Sequence, residues 1–508
     1  MPPPCAKSES LMTQPKPPMT EDHATSGTMI AFGTGNIAVG VKNSIFGSWL
    51  MLYYNQVQGL EPSLAGAALA IALVFDAITD PLVGVWSDRT RTRWGRRHPF
   101  MYASIVPFSA AIFFILQPMH EPSQQALFLQ LLFLAIAVRV SMTLFDVPRA
   151  ALGPELTKDY DQRTMLVGIS TAFGWLGGAG LSAVALGMLF PETAEYSGSR
   201  AALNPAGFHK MGLIAAIVIF ISAAGSTLAL HKQIPKLHVP KERARFDFGE
   251  LLSEIKETLS NRSWVVVFLA GLVFALFIGL QSGVDYYYNV YFWQWIPEQI
   301  KVFPIFQAFT AITCGLFTSI IARGRDKKKL AVKLFIFSIA LGPLPVGLRL
   351  LSGVIDFPVF PANQTDALWW ILLIHSNIMI MLSVTGFVLI GSMVADIVED
   401  SQESTGRRSE GLITAGPALA QKTMSASGVF ITGVILSFIG FDVPNPTVEE
   451  MQKPMQDLAL THVVLGIAFP IVSTWLISKY TITRDAHMKT LTQLGYTHGE
   501  DDTENPSP

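Results

Sequence analysis

Twelve times along this 508-residue chain an apolar stretch of about 20 residues recurs, each long enough to cross a ~30 Å hydrocarbon core at 1.5 Å per helical residue. Lipid offers backbone N–H and C=O groups no water, so each stretch must close its own hydrogen bonds as a helix. The predicted spans lie at about residues 29–54, 62–86, 99–118, 125–147, 165–190, 209–231, 263–292, 302–322, 330–352, 367–394, 411–437 and 457–480. The fold class expected is an all-α integral membrane protein. Charged residues make up only 15% of the chain and hydrophobic ones 50%, which suits lipid better than a soluble core. A net charge of −2 excludes a nucleic-acid partner, which needs a concentrated positive face. Two cysteines, Cys5 and Cys314, allow neither a disulfide framework nor a thiolate metal cluster.

Residues 1–28 are polar and Pro-rich, without an apolar run before a cleavage site, and read as a disordered tail ahead of a retained first helix. Positive residues resist translocation, and 28 of the 36 Lys and Arg fall on the side that holds both tails, against 5 on the other and 3 within helices. Both termini are therefore expected in the cytoplasm. The longest loop on that side, 232–262, divides the chain into six-helix halves at 29–231 and 263–480, with a cytoplasmic tail at 481–508. Its second part spaces Phe248, Leu251, Leu252, Ile255 and Leu259 as an amphipathic surface helix would. Two six-helix halves joined by a cytoplasmic linker are the layout of a rocking transporter with its site between the halves.

A charge at membrane depth costs at least about 2.5 to 3.5 kcal/mol, so each asks for a partner or a role. Asp76 and Asp80, four apart in the second helix, share one face and suit a single small cation, Na⁺ in the first instance, a shared proton, or a basic side chain. Thr79 stands beside them. The fourth helix brings Arg139, Thr143 and Asp146, with further oxygens at one-turn spacing of the kind hard cations take. Arg139 is equally placed as a partner for a second-helix carboxylate or as a substrate ligand. Lys42 in the first helix reads as a salt-bridge partner for Asp76 or Asp80 that would compete with a cation, and Lys422 in the eleventh reads as a cavity residue beside small side chains. Asp285 precedes the aromatic run from Tyr286 to Trp295, expected first as an interfacial belt and otherwise as a sugar-stacking surface.

The cytoplasmic loops carry a second set of charges. GVWSDRTRTRWGRR sets Asp88 among Arg89, Arg91, Arg93, Arg96 and Arg97, and ARGRDKKKL echoes it at the matching place in the second half. ADIVEDSQESTGRRSEG puts Asp396, Glu399 and Asp400 upstream of Arg407, Arg408 and Glu410 and reads as an inner gate, with a solvated positive-inside face as the plain alternative.

GVWSDRTRTRWGRR resembles the loop signature of the major facilitator superfamily. Together with FDAITDPLVG, DVPRAALGPELTKDYDQRT and MVADIVEDSQESTGRRSEG it resembles the glycoside-pentoside-hexuronide:cation symporters, over most of the chain. The resemblance implies the twelve-helix major facilitator fold and Na⁺- or H⁺-coupled sugar symport in a bacterial inner membrane, with no other cofactor. It also implies a cation site of Asp76, Asp80 and Thr143, and a substrate site with Asp146 and Lys422. Where the family's sugar site has an aromatic residue and an arginine, this chain has Ala150 and Thr171. Animal relatives that carry lysophospholipids with Na⁺ share the second-helix acids and the eleventh-helix lysine, so an amphiphile is the alternative substrate. No HExxH, GxSxG or paired-Cys motif accompanies the acids, so an enzyme is not expected.

Overall fold

The computed structural model describes residues 24–493 except 121, 158–159, 237–259, 282, 323–324, 356, 406–409, 444–445 and 483. The expected linker helix around Leu251 and the gate residues Arg407 and Arg408 lie outside the described residues. Among the described residues twelve helical spans follow one another, and ten helices are long and apolar enough to cross a membrane. The first, α1, runs over 26–57, its Thr25 side chain accepting from the Thr28 N–H and its far part wound into two π turns at Ile45–Trp49 and Tyr53–Val57. Next come α2 (Pro62–Arg89), α3 (His98–Ile115), α4 (Gln124–Leu156), α5 (160–189) and α6 (Pro205–His231). In the second half, α7 comprises Arg262–Gln281 and, past a break, Asp285–Tyr287 and Tyr288–Phe292. It is followed by α8 (Val302–Ala322), α9 (Lys327–Leu341 and Leu344–Val354), α10 (Asp366–Thr405), α11 (Glu410–Ile439) and α12 (Gln452–Ser478), with a short α13 (Arg484–Gln493) behind them.

The two halves repeat one packing device. α1 crosses α5 where a Cβ on Gly40 would run into the Gly174 carbonyl oxygen, and α7 crosses α11 where a Cβ on Gly279 would run into the Ser425 carbonyl. Backbones that lie this close tolerate no side chain, the usual solution where lipid gives helices no hydrophobic reason to associate. Between the halves, α2 packs along α11 and α5 along α8.

The far end, away from the chain termini, is sealed across the halves. Tyr287 donates to Asn55 Oδ1 at 2.8 Å and Tyr291 to Gln56 Oε1 at 2.7 Å, while Asn55 Nδ2 donates to the Phe441 carbonyl at 2.9 Å. At the break in α7, Gly283 takes a φ of 83° and its N–H donates to the Gly47 carbonyl at 2.7 Å. Tyr286, Tyr287, Tyr288, Tyr291, Trp293 and Trp295 are all buried. The aromatic run is therefore buried between the halves and not the interfacial belt that composition suggests: Tyr287 and Tyr291 meet Asn55 and Gln56 of α1 in the seal, while Tyr286, Tyr288, Trp293 and Trp295 line the cavity described below.

Candidate functional site

Midway along the bundle, four charges and one hydroxyl meet on three helices. Asp76 and Asp80 project from one face of α2, which continues unbroken through Pro81. From α4, Arg139 Nη1 donates to Asp76 Oδ2 at 3.3 Å, and the Thr143 hydroxyl lies 3.2 Å from Asp76 Oδ1 and 2.9 Å from Asp80 Oδ1. From α11, in the other half, Lys422 Nζ donates to Asp76 Oδ2 at 3.0 Å and makes a short contact with Asp80 Oδ2. The cluster's formal charges cancel. Arg139 and Asp76 are nearly inaccessible, with side chains 9% and 10% exposed, whereas Lys422 at 37% keeps a solvent route. The lysine ammonium thus bridges the two carboxylates through their Oδ2 atoms, while the Thr143 hydroxyl bridges them through their Oδ1 atoms.

Lys42 does not take that role. Its Nζ donates to Asn43 Oδ1 at 3.1 Å and sits 5.5 Å from the Phe46 ring centroid, while Arg139 lies over the same ring. The reason is helix order: α2 packs along α11, which brings Lys422 onto the acids. Thr79 also turns away, its hydroxyl donating to the Asp76 main-chain carbonyl at 3.3 Å.

Asp146 lies one turn beyond Thr143 and pairs with Arg149 at 2.7 Å; the guanidinium, 4% exposed, also donates to Asn36 Oδ1 at 2.8 Å and to the Phe32 carbonyl at 3.2 Å. Arg149 is not singled out from the sequence as a site residue, since it falls beyond the expected fourth span of 125–147. α4 instead runs on through Pro148 and Pro154 to Leu156.

A cavity of about 710 Å³ opens between the halves, walled by α1 and α5 on one side and by α7, α8, α9, α10 and α12 on the other. Thr171, Trp175 and Asp285 line it, and Asp146 is not among its lining residues.

At the end that carries the termini, Asp88 lies 4.0 Å from Arg96 and 3.3 Å from Arg97. Glu155 of α4 holds Arg97 at 2.7 Å and contacts Arg96 at short range. Burial pulls the Arg97 guanidinium below its ordinary pKa, and the Glu155 carboxylate opposes that shift. Arg89 is exposed. In the second half Lys327 binds Asp396 at 2.6 Å, and His487 of α13 lies 3.5 Å from Asp396 and 3.4 Å from Glu399. Both clusters stay within their own half among the described residues. Glu155 was not legible as a member, since nothing in its spacing ties it to a loop 59 residues earlier.

Residues 31–484 match the family described as MFS/sugar transport protein. The chain belongs to that family. It is a transporter of the glycoside-pentoside-hexuronide:cation symporter group, not an enzyme. An uncharacterized symporter of Synechocystis is 26% identical, over 92% of this chain and 96% of that protein. The isoprimeverose transporter of Lactiplantibacillus pentosus is 24% identical over 85% and 84%. The xylose transporter XylE of Escherichia coli, in its inward-open conformation, has the same fold, with a TM-score of 0.57 and 13% identity over 92% of this chain and 98% of that one. A sodium-dependent lysophosphatidylcholine symporter of Gallus gallus matches only 30% of the chain.

Proposed function

We propose that this family member is a cation-coupled sugar symporter in which a small cation and Lys422 exchange on Asp76 and Asp80. The observation that carries this reading is the lysine's contact with both acids from the opposite half. A lysine ammonium and Na⁺ each carry one positive charge, so either leaves the cluster neutral with Arg139. Two carboxylate oxygens and the Thr143 hydroxyl are the hard donors Na⁺ takes. Arrival of the cation frees Lys422, which unties α2 from α11 and lets the halves rock. With both termini in the cytoplasm, a molecule sealed at its far end faces inward, where Na⁺ is scarce and Lys422 holds the acids.

The sugar occupies the cavity between the halves, with Asp146 and Arg149 adjoining it through Asn36. The first candidate is a pentose-containing glycoside of the kind named for the isoprimeverose transporter. Coupling is reciprocal: a cation that tightens sugar is itself tightened by sugar. Proteoliposomes given radiolabelled isoprimeverose should accumulate it under an inward Na⁺ gradient and lose that stimulation in Asp80→Asn. Accumulation that follows a pH gradient alone would make the coupling ion H⁺. Uptake indifferent to both gradients would remove the symport reading. A lysophospholipid accumulated in place of every sugar would replace the substrate.

A further inference from the structure

Most charges within the bundle have a partner of opposite sign. Asp76 faces Arg139 and Lys422, Asp80 faces Lys422, and Asp146 faces Arg149. Lys42, held by Asn43 Oδ1 and the Phe46 ring away from the cavity lining, is one exception, and Asp285 is another. It opens the part of α7 beyond the break, it is exposed to the cavity, and its carboxylate makes no ion pair or hydrogen bond with any described residue. No Lys or Arg is among the residues lining the cavity, so Asp285 is the sole formally charged group there, joined by His375 and His462 as titratable neighbours. Of these, His375 is engaged with the Leu341 carbonyl at 2.9 Å and His462 with Gln281 at 3.2 Å.

The opposite wall supplies a different chemistry. On α5, Thr171 and Trp175 are four apart and both line the cavity, which puts them on one helix face. Trp175 is half-buried, and no aromatic ring among the described residues packs on its indole. Asn43, Ser44 and Ser182 add hydroxyl and amide groups to the same wall. A carboxylate with no cation, an unstacked indole and several neutral polar groups match a polyhydroxylated ring: hydroxyls donate to the carboxylate while the apolar ring face lies on the indole. An anionic sugar would bring its own carboxylate into a cavity that already holds one and offers no arginine or lysine against it.

We propose that Asp285 is the substrate-facing carboxylate of this transporter and that, with Trp175, it selects a neutral glycoside over an anionic uronide. This rests on the sugar reading above and makes it narrower. It also accounts for the positions where the sequence departs from its family, because Trp175 supplies the aromatic surface that Ala150 does not.

The test uses the purified full chain in detergent, titrated calorimetrically with isoprimeverose, with methyl β-glucopyranoside and with methyl β-glucuronide, in Na⁺. The wild type should bind a neutral glycoside at least tenfold more tightly than the glucuronide. Asp285→Asn, which is isosteric, should lose about tenfold or more of the neutral affinity, the scale of one hydrogen bond to a charged group, and should narrow the preference over the glucuronide. Its thermal stabilisation by Na⁺ alone should equal that of the wild type, which separates loss of the sugar contact from loss of the fold. Trp175→Phe should retain binding and Trp175→Ala should lose it. Sugar binding unchanged in Asp285→Asn, or a wild type that prefers the glucuronide, overturns the assignment and leaves the sugar reading intact. A folded wild type that binds none of the three sugars overturns both.

Discussion

Two ion clusters of the same ingredients, carboxylates against arginine or lysine, stand at different depths of this molecule. The middle one takes Asp76 and Asp80 from α2, Arg139 from α4 and Lys422 from α11, and so spans the halves. The other joins Asp88, Arg96, Arg97 and Glu155 and lies wholly within the first half. A pair inside one rigid body does not feel that body move, whereas a pair between two bodies must break when they separate. Location relative to the half boundary, more than residue type, decides which cluster can be tied to a transport cycle and which holds structure.

Breaking the middle cluster should have the largest effect. Asp76→Asn strips buried Arg139 of its carboxylate and takes one of Lys422's two partners. Removing one partner from a buried ion pair costs about 3 to 5 kcal/mol. Thermal melts should show a large fall in midpoint, and vesicle uptake should lose its cation stimulation. At the end cluster, Glu155→Gln leaves the guanidinium of Arg97, 7% exposed, without its 2.7 Å partner. A loss of about 1 to 3 kcal/mol is expected there, with the Na⁺ dependence of uptake unchanged. Asp88, 55% exposed, should matter least: Asp88→Asn should cost about 1 kcal/mol or less and leave uptake as in the wild type. A shift in cation dependence from either end-cluster variant would erase the distinction between the two clusters.

Much of this architecture is visible in the chain because lipid makes strict demands. Hydrophobic length points to twelve spans, and ten helices among the described residues are long and apolar enough to cross a membrane, while the four-residue spacing of Asp76 and Asp80 puts them on one face. What spacing cannot convey is which helix lies opposite. Lys42 reads from the sequence as the salt-bridge partner of the acids and Lys422 as a cavity residue, and the packing of α2 along α11 instead brings Lys422 onto the acids. The fourth span is expected to end near residue 147, yet α4 continues through Pro148 and Pro154 to Leu156 and so carries Arg149 and Glu155. The aromatic run after Asp285 has the composition of an interface belt. Its burial depends on Asn55 and Gln56 of α1, more than 200 residues earlier.

The most direct measurement is the Na⁺ affinity of the purified protein with Lys422 present and with Lys422→Gln, read by ²²Na⁺ binding at a pH where the wild type is stabilised by Na⁺. If the lysine ammonium and the cation compete for Asp76 and Asp80, removing the ammonium should tighten Na⁺ binding by about tenfold, a difference of ~1.4 kcal/mol. Sugar uptake should meanwhile lose its dependence on the Na⁺ gradient. Na⁺ affinity that is unchanged or weaker in Lys422→Gln would mean that the lysine supports the cation site and does not exchange with its occupant, contradicting the account.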